Sequence, residues 1–445
     1  MTVDALFRRA VSLKQAGDLE AAINCYQQAL RQEPRHPEIY ANLGAALRQQ
    51  GNYEEALKVL KQGLTIDPKM AALHANLGTV LYDLGHLDAA LQSLQQALKL
   101  DAHNVEALSN LGNLMRELGR IEEALDYYNA ACREQPNHAF ARANRAFALL
   151  LSGQFTEGLK EYEWRWKTSH APRPFPQPWW NGDRFAGERI LLWGEQGVGD
   201  EVMFSRMVKP VADQAEECLL ECDPRLTSLL ARSYPSIRVF ARTTPAHSEL
   251  LDSGIRWQCP LGSLARWFRP SADVPVSQRY LVPNTERAKA LRARYDAELG
   301  PGLKVGVSWR SNNKDRGAQK SAPLDLWLPV LRCPRVHFIS LQYGDCGAEL
   351  QTLRAQHGAT IHVDEGLDAR HDLDGLAAQI HALDMVITVG NTTAHLAGAL
   401  GKSVWTLLHQ APDWRWQLSA GQTPWYPSMR LFRAKQSGWA GVFDE

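Results

Sequence analysis

The sequence predicts an all-α array of helix pairs followed by an α/β half with two parallel-stranded, Rossmann-like parts. Three observations carry that expectation. Asparagines at 42, 76, 110 and 144 mark a 34-residue unit that recurs through the first third of the chain. The period stops near residue 170. Beyond residue 190, short apolar runs alternate with helical stretches, the pattern of parallel strands joined by crossover helices.

A chain of 445 residues with 45% apolar content is too long for one core and divides into two to four domains. Lys plus Arg equals Asp plus Glu at 49 each, so no general attraction to nucleic acid or anionic membrane follows. The opening stretch MTVDALFRRAVSLKQAGD mixes charges with apolar residues, unlike a secretory signal, and no apolar run reaches the roughly 18 residues of a membrane span. The 7 cysteines are scattered and odd in number, which fits reduced thiols. Cys218 and Cys222 alone lie close, and no second pair completes a zinc site. A soluble cytoplasmic protein is expected.

Within each repeat the small residues fall at fixed places, Gly44, Gly78 and Gly112 in the first helix and Ala56, Ala90 and Ala124 in the second. Small side chains at a crossing let two helices approach, and Leu43, Leu77 and Leu111 supply the stripe between repeats. Gly51, Gly85 and Gly119 break the paired helices; Pro34, Pro68 and Pro136 close a unit. These positions resemble the tetratricopeptide repeat. Residues 1–170 then hold about four full repeats, the first with Arg8 in the asparagine's place, plus a degenerate fifth with Gly158 at the second small position. The resemblance implies a right-handed superhelix with the first helix of each pair on the concave side.

Asn42, Asn76, Asn110 and Asn144 admit two roles. A row of amides along a groove can hold the backbone of an extended peptide, or each amide can satisfy groups of its own and neighbouring repeats. The row is similar to the asparagine ladder of protein O-linked N-acetylglucosamine transferases, which hold acceptor peptides that way. Self-association through the array is a further expectation.

Residues 171–189 carry four prolines in APRPFPQP and read as a linker or wrapping segment. Strands are expected over 190–195, 217–222 and 237–242 in a first half (190–299), and over 304–310, 336–342, 385–390 and 403–408 in a second (300–445). In ILLWGEQGVGDEVMF, Gly197 and Gly199 permit a tight turn, but Val202 replaces the third glycine of a dinucleotide fingerprint. Asp200 stands at the helix start beyond the first strand, either as a helix cap or as a catalytic carboxylate. In DMVITVGNTTAHLAGALGKSVW, Thr392, Thr393 and His395 open a helix whose free amides and dipole suit phosphate. Arg310, Lys314, Arg316 and Lys320 crowd the loop after residue 308, as an anion site or as a solvated loop. DEGLDARHDLDG lacks the oxygen spacing of a calcium loop. Trp309, Trp405, Trp414, Trp416 and Trp425 suit core or domain-closing roles, and the Trp414 to Trp416 stretch beside PWYP reads as a segment that joins the two halves.

EQGVGD, SWRSNNKDR, VGNTTAHLAGALGKSVW and APDWRWQLSAGQTPWYPSMRLFR together resemble the glycosyltransferase half of bacterial tetratricopeptide proteins, related to the ADP-heptose heptosyltransferases and sharing the GT-B fold. The resemblance implies that Asp200 is the general base. It implies that the donor diphosphate rests on Thr392, Thr393 and His395 with a loop cation, Lys320 or Arg310. Gly390 and Asn391 stand where many relatives carry an aspartate and threonine pair.

The implied activity is an inverting, metal-independent transfer from a nucleotide-diphosphate sugar to a hydroxyl of a protein, flagellin or another surface protein, recruited by the repeat groove. No separate cofactor and no nucleic acid are expected. The rival readings are a lipid-linked or small glycan acceptor, and a non-catalytic interaction scaffold whose transferase half has decayed.

Overall fold

The computed structural model describes residues 1–168, 171–185, 187–268, 279–311, 317–418, 421–434 and 438–443. It divides into two compact units, residues 1–150 with 160–171, and residues 151–159 with 172–445.

The first unit consists of helix pairs: α1 (Val3–Gln15) with α2 (Leu19–Gln32), α3 (Pro37–Gln49) with α4 (Tyr53–Ile66), α5 (Ala71–Asp83) with α6 (Leu87–Leu100), and α7 (Val105–Glu117) with α8 (Ile121–Glu134). A shorter pair, α9 (Ala139–Leu151) and α10 (Phe155–Tyr162), runs across the border of the units. Gly17, Gly51, Gly85, Gly119 and Gly153 all take φ between 75° and 87°, the left-handed turn that only glycine enters without cost. The small-residue reading holds in atomic detail. A Cβ on Gly44, Gly78 or Gly112 would lie 2.5, 2.6 or 2.5 Å from Leu60, Leu94 or Tyr128 on the paired helix. Ala56, Ala90 and Ala124 are fully buried at the same crossings. Side chains one turn into the first helices reach back to the proline that closes the preceding unit: Tyr40 Oη donates to the Pro34 carbonyl at 3.0 Å and Arg142 Nε to the Pro136 carbonyl at 2.6 Å.

The second unit holds two all-parallel sheets. The first has the order β3-β2-β1-β4, with β1 (Arg189–Trp193), β2 (Glu217–Cys222), β3 (Arg238–Ala241) and β4 (Ile255–Pro260). Its crossovers include α11 (Val198–Ser205), α12 (Val208–Ala212) and α13 (Thr227–Ser233), and the short α14 (Ala265–Phe268) and long α15 (Thr285–Leu299) follow β4. The second sheet has the order β6-β5-β7-β8-β9, with β5 (Leu303–Ser308), β6 (Val336–Ser340), β7 (Met385–Val389), β8 (Val404–Leu408) and β9 (Met429–Arg433). It is served by α16 (Leu328–Leu331), α17 (Gly347–His357), α18 (Leu373–Ala382) and α19 (Thr392–Ala399). Buried Val305, Val307, Ile387 and Val389 form its core with Trp309 and Trp327.

All seven expected strands are present, and β4 and β9 are additions. The proline-rich stretch is not a free linker. Its described residues lie on the first sheet, where Trp179 bridges Gln258 in β4 and the Trp180 N–H donates to the Gln258 carbonyl at 2.8 Å. The buried Gln258 amide explains why: Nε2 donates to the carbonyls of Phe175 and Gln177, and Oε1 accepts from Trp193 Nε1. Among the described residues, no helix is long and apolar enough to cross a membrane.

Each sheet reverses its strand order at one point, between β1 and β4 and between β5 and β7. Crevices open at the carboxyl ends of strands at such reversals. Asp200 follows β1, and Asn391 with Thr392 follows β7, so both loops singled out in the sequence stand at these crevices.

Candidate functional site

Helices α11 and α19, one from each half of the second unit, pack on each other with their amino termini at a common cleft. The approach is close: a Cβ on Gly199 would lie 2.8 Å from His395 Cδ2. The cleft has a volume of about 440 Å³, and its walls include Gly197, Gly199, Asp200, Lys320, Thr392 and His395. All six are site candidates in the sequence; Arg225, Arg370, Asp413 and Arg415, which also line it, are not.

Asp200 stands in the first turn of α11. Its Oδ2 accepts the Gly197 N–H at 3.3 Å, and its Oδ1 accepts Arg415 Nε at 2.6 Å. The tight turn before it is made by Gln196, at φ 60°, and not by either glycine. Gly197 itself is extended at φ −106°. A non-glycine residue in left-handed backbone beside a cleft is sparsely populated and held by its surroundings. Here the Gln196 side chain accepts Arg415 Nη2 at 3.2 Å.

Arg415 also pairs with Asp413 through Nη1, and Lys320 Nζ lies 3.5 Å from Asp413 Oδ2. One wall of the cleft is therefore an alternating row of Asp200, Arg415, Asp413 and Lys320. Burial pushes the Asp200 carboxyl above the usual aspartate range, against the pull of Arg415 and with Asp413 adding to the rise. Burial acts the same way on Asp413, but Arg415 and Lys320 together overcome it and hold that carboxyl below its ordinary value. His395 is pushed down to about 3 by burial, then by Arg415, so its ring is neutral. The ring stacks on Trp416 at 4.9 Å, and Nδ1 meets the Tyr426 hydroxyl at 2.8 Å.

The start of α19 is organised by Asn391, which is 6% exposed. Its Oδ1 accepts the N–H groups of Thr393 and Ala394 at 3.0 and 3.4 Å and the Thr388 hydroxyl at 3.1 Å. Its Nδ2 donates to Ser308 Oγ at 2.8 Å and to the Arg310 carbonyl at 3.2 Å. An amide can face donors and acceptors at once, whereas a carboxylate only accepts. That accounts for asparagine at this position, since the side chain clasps β5 to β7 while it caps the helix.

The clasp divides the expected phosphate ligands. Thr393 is fully buried and its N–H is taken by Asn391, so it does not face the cleft. Thr392 does, and neither its N–H nor its hydroxyl has a partner among the described residues. Arg310 points elsewhere: Nη1 donates to Glu349 Oε1 at 3.0 Å and Nη2 to the Asp345 carbonyl at 2.6 Å. Lys314 and Arg316 lie outside the described residues. In their place Arg370 lines the cleft with a guanidinium that has no partner among the described residues, and Arg225 lines it while bound to Asp223 and to the Arg370 carbonyl. The one sequence signal for Arg415 is its place between Trp414 and Trp416 in the joining segment, a role it fills through Asp200.

Behind α11, Glu201 is buried, accepts the Asp223 N–H at 2.8 Å and pairs with Arg242 at 2.5 Å. It thereby fixes the helix that carries Asp200 to the turn that carries Arg225. Burial pushes its carboxyl up to about 7.

In the helical unit the four asparagines are all half-buried. Asn42 Nδ2 donates to the Glu38 carbonyl at 3.0 Å, Asn76 Nδ2 to the Ala41 carbonyl at 2.9 Å, and Asn110 Nδ2 to Thr79 Oγ1 at 2.8 Å. Asn76 and Asn110 thus tie each first helix to its predecessor. Their Oδ1 atoms, and the whole Asn144 amide, have no partner among the described residues.

The family profile described as tetratricopeptide repeat matches residues 7–71 and 76–139, so the first unit is built of tetratricopeptide repeats. Protein FlbA of Caulobacter vibrioides is 36% identical over 313 residues, 66% of this chain and 52% of that protein. The chain spans about half the length of that curated relative. Among solved structures, the MamA protein is similar at 22% identity over 39% of this chain and 98% of its own, with a TM-score of 0.30. A thermophilic tetratricopeptide protein of Thermus thermophilus is similar at 21% identity over 38% and 92%, with a TM-score of 0.35. YrrB, described as a tetratricopeptide protein with an unusual peptide-binding site, is similar at 25% identity over 37% and 84%, with a TM-score of 0.28.

Proposed function

We propose that the chain is an inverting glycosyltransferase of GT-B type that moves a sugar from a nucleotide diphosphate to a hydroxyl of a protein held by the tetratricopeptide array. The observation that carries this reading is the meeting, in one cleft, of a carboxylate from the first sheet and a helix start with cations from the second. Asp200 takes the proton of the acceptor hydroxyl as its oxygen attacks the anomeric carbon. The bond from that carbon to the diphosphate breaks on the opposite face, and the nucleoside diphosphate leaves with the bonding pair. Its charge is met by the Thr392 end of α19 and by Lys320, Arg370 and Arg415, fixed dipoles and cations that can serve in place of a metal. The acceptor is a protein, because a groove of helix pairs offers an extended surface to a polypeptide; that it is flagellin or another surface protein is what the resemblance to bacterial tetratricopeptide transferases implies.

A second reading has its own observation. Asp200 caps α11 and pairs with Arg415, which is what a purely structural aspartate in a non-catalytic scaffold would do. Incubation of the full chain with a panel of nucleotide sugars separates the two. Transfer or slow hydrolysis of one donor, lost in Asp200→Asn with the fold intact, is expected. Neither binding nor turnover of any donor would leave the scaffold.

A further inference from the structure

Arg415 is nearly enclosed, with its side chain 11% exposed, and it holds several groups on or beside the cleft. Nε serves Asp200, Nη2 serves Asp200 and Gln196, and Nη1 serves Asp413. The row of Asp200, Arg415, Asp413 and Lys320 balances its own charge, two carboxylates against two cations. An anion entering the cleft therefore gains from Arg415 by competing with the carboxylates that it already holds, Asp200 first among them because two of its nitrogens face that side chain. A diphosphate can compete, since it carries more charge than one carboxylate and accepts a guanidinium fork through two oxygens. It has a second hold nearby in the Thr392 N–H and hydroxyl and in Arg370.

We infer that Arg415 is shared in turn between Asp200 and the diphosphate of the donor, so that donor binding draws the guanidinium away and uncovers the carboxylate. This rests on the transferase reading above. Asp200 would then act as a base only when a donor is in place, which would also limit its use on water alone. The opposing picture is a permanent strut, in which the Asp200 and Arg415 pair joins the two halves whatever else is bound.

The test is equilibrium binding of inorganic pyrophosphate, without added metal, to the full chain and to Asp200→Asn, Arg415→Gln and the double variant. Arg415→Lys is included to keep the cation without the fork should the glutamine variant fail to fold. Sharing predicts that Asp200→Asn binds pyrophosphate at least threefold tighter and that Arg415→Gln or Arg415→Lys binds at least fivefold weaker. It also predicts that the gain from Asp200→Asn disappears when Arg415 is replaced. A gain that persists without Arg415 is a general charge effect and overturns the inference, as does binding indifferent to Arg415. Both of those outcomes leave the transferase reading standing. No pyrophosphate binding by any form, together with no binding of nucleotide sugars, overturns that reading as well.

Discussion

Arg415 donates its Nε–H to Oδ1 of Asp200 at 2.6 Å across a separation of 215 residues, and the bond joins the two halves of the second unit at their common cleft. Asp200→Asn keeps an acceptor for Arg415, so the variant should fold and melt within a few degrees of the parent, with transfer reduced by about 10²–10⁴-fold. Because burial and Asp413 raise the Asp200 carboxyl, the base form appears only above the ordinary aspartate range. The rate in the parent should accordingly rise with pH through that elevated value. A rate flat from pH 4 upward, or near-normal turnover in Asp200→Asn, would remove Asp200 as the base.

Glu201 gives a stability prediction with a definite sign. Its carboxyl is raised to about 7 by burial, against Arg242 and the Asp223 N–H, so between its ordinary value and pH 7 the folded chain holds a proton that the unfolded chain has released. Its contribution is therefore full at low pH and falls as pH rises through about 7. Glu201→Gln removes that loss. The stability difference between parent and variant should shift in the variant's favour by roughly 2–3 kcal/mol from pH 4.5 to 7.5. Chemical unfolding across that range measures it, and parallel curves for the two proteins would refute the assignment.

Asn391 offers a cleaner test of site architecture. Replacement by aspartate keeps the cap on Thr393 and Ala394 but loses both donations, to Ser308 Oγ and to the Arg310 carbonyl, and buries a charge. The expected cost is about 1–3 kcal/mol. Replacement by alanine leaves those groups and the helix start unsatisfied, at about 2–4 kcal/mol. If aspartate proves the more stable side chain, the clasp does not explain why asparagine stands at this position.

The repeat array was legible because each unit repeats the same local problem. Gly112→Ala places a methyl 2.5 Å from the Tyr128 ring, and should cost about 1–3 kcal/mol despite the gain in helix propensity. Gly85→Ala meets nothing within 4 Å but stands at φ 78°, so its cost of about 1 kcal/mol would come from the backbone alone. Urea unfolding of the two variants should rank them in that order.

The cleft was only half legible. Positions set by local pattern, the strand ends carrying Asp200 and Thr392, could be read off the chain. Positions set by a distant partner could not. Arg310 follows its strand as expected, but Glu349 and the Asp345 carbonyl hold its guanidinium, and nothing near residue 310 signals that. Arg256 and Gln258 interrupt β4 and hide the strand, and the Gln258 amide is satisfied by the proline-rich segment about 80 residues earlier. Arg415 is legible as a residue between two tryptophans, but its pairing with Asp200 is not.

The asparagine row remains the place where the acceptor proposal is most exposed. Asn76 spends its donor on the Ala41 carbonyl and Asn110 spends its donor on Thr79, so each amide already does structural work between repeats. Alanine at either position should cost about 1 kcal/mol of stability in the array. The carbonyl oxygens are a separate matter, since they have no partner among the described residues and could accept N–H groups of an extended peptide. Asn76→Ala with Asn110→Ala should then weaken acceptor binding by at least tenfold at a temperature well below melting, with pyrophosphate binding unchanged. Asn76→Asp with Asn110→Asp separates the two roles, because a carboxylate keeps the acceptor and loses the inter-repeat donor. If the aspartate pair is destabilised like the alanine pair yet still binds the acceptor protein, the oxygens face the peptide. If both pairs lose stability and neither loses acceptor, the row serves only the array.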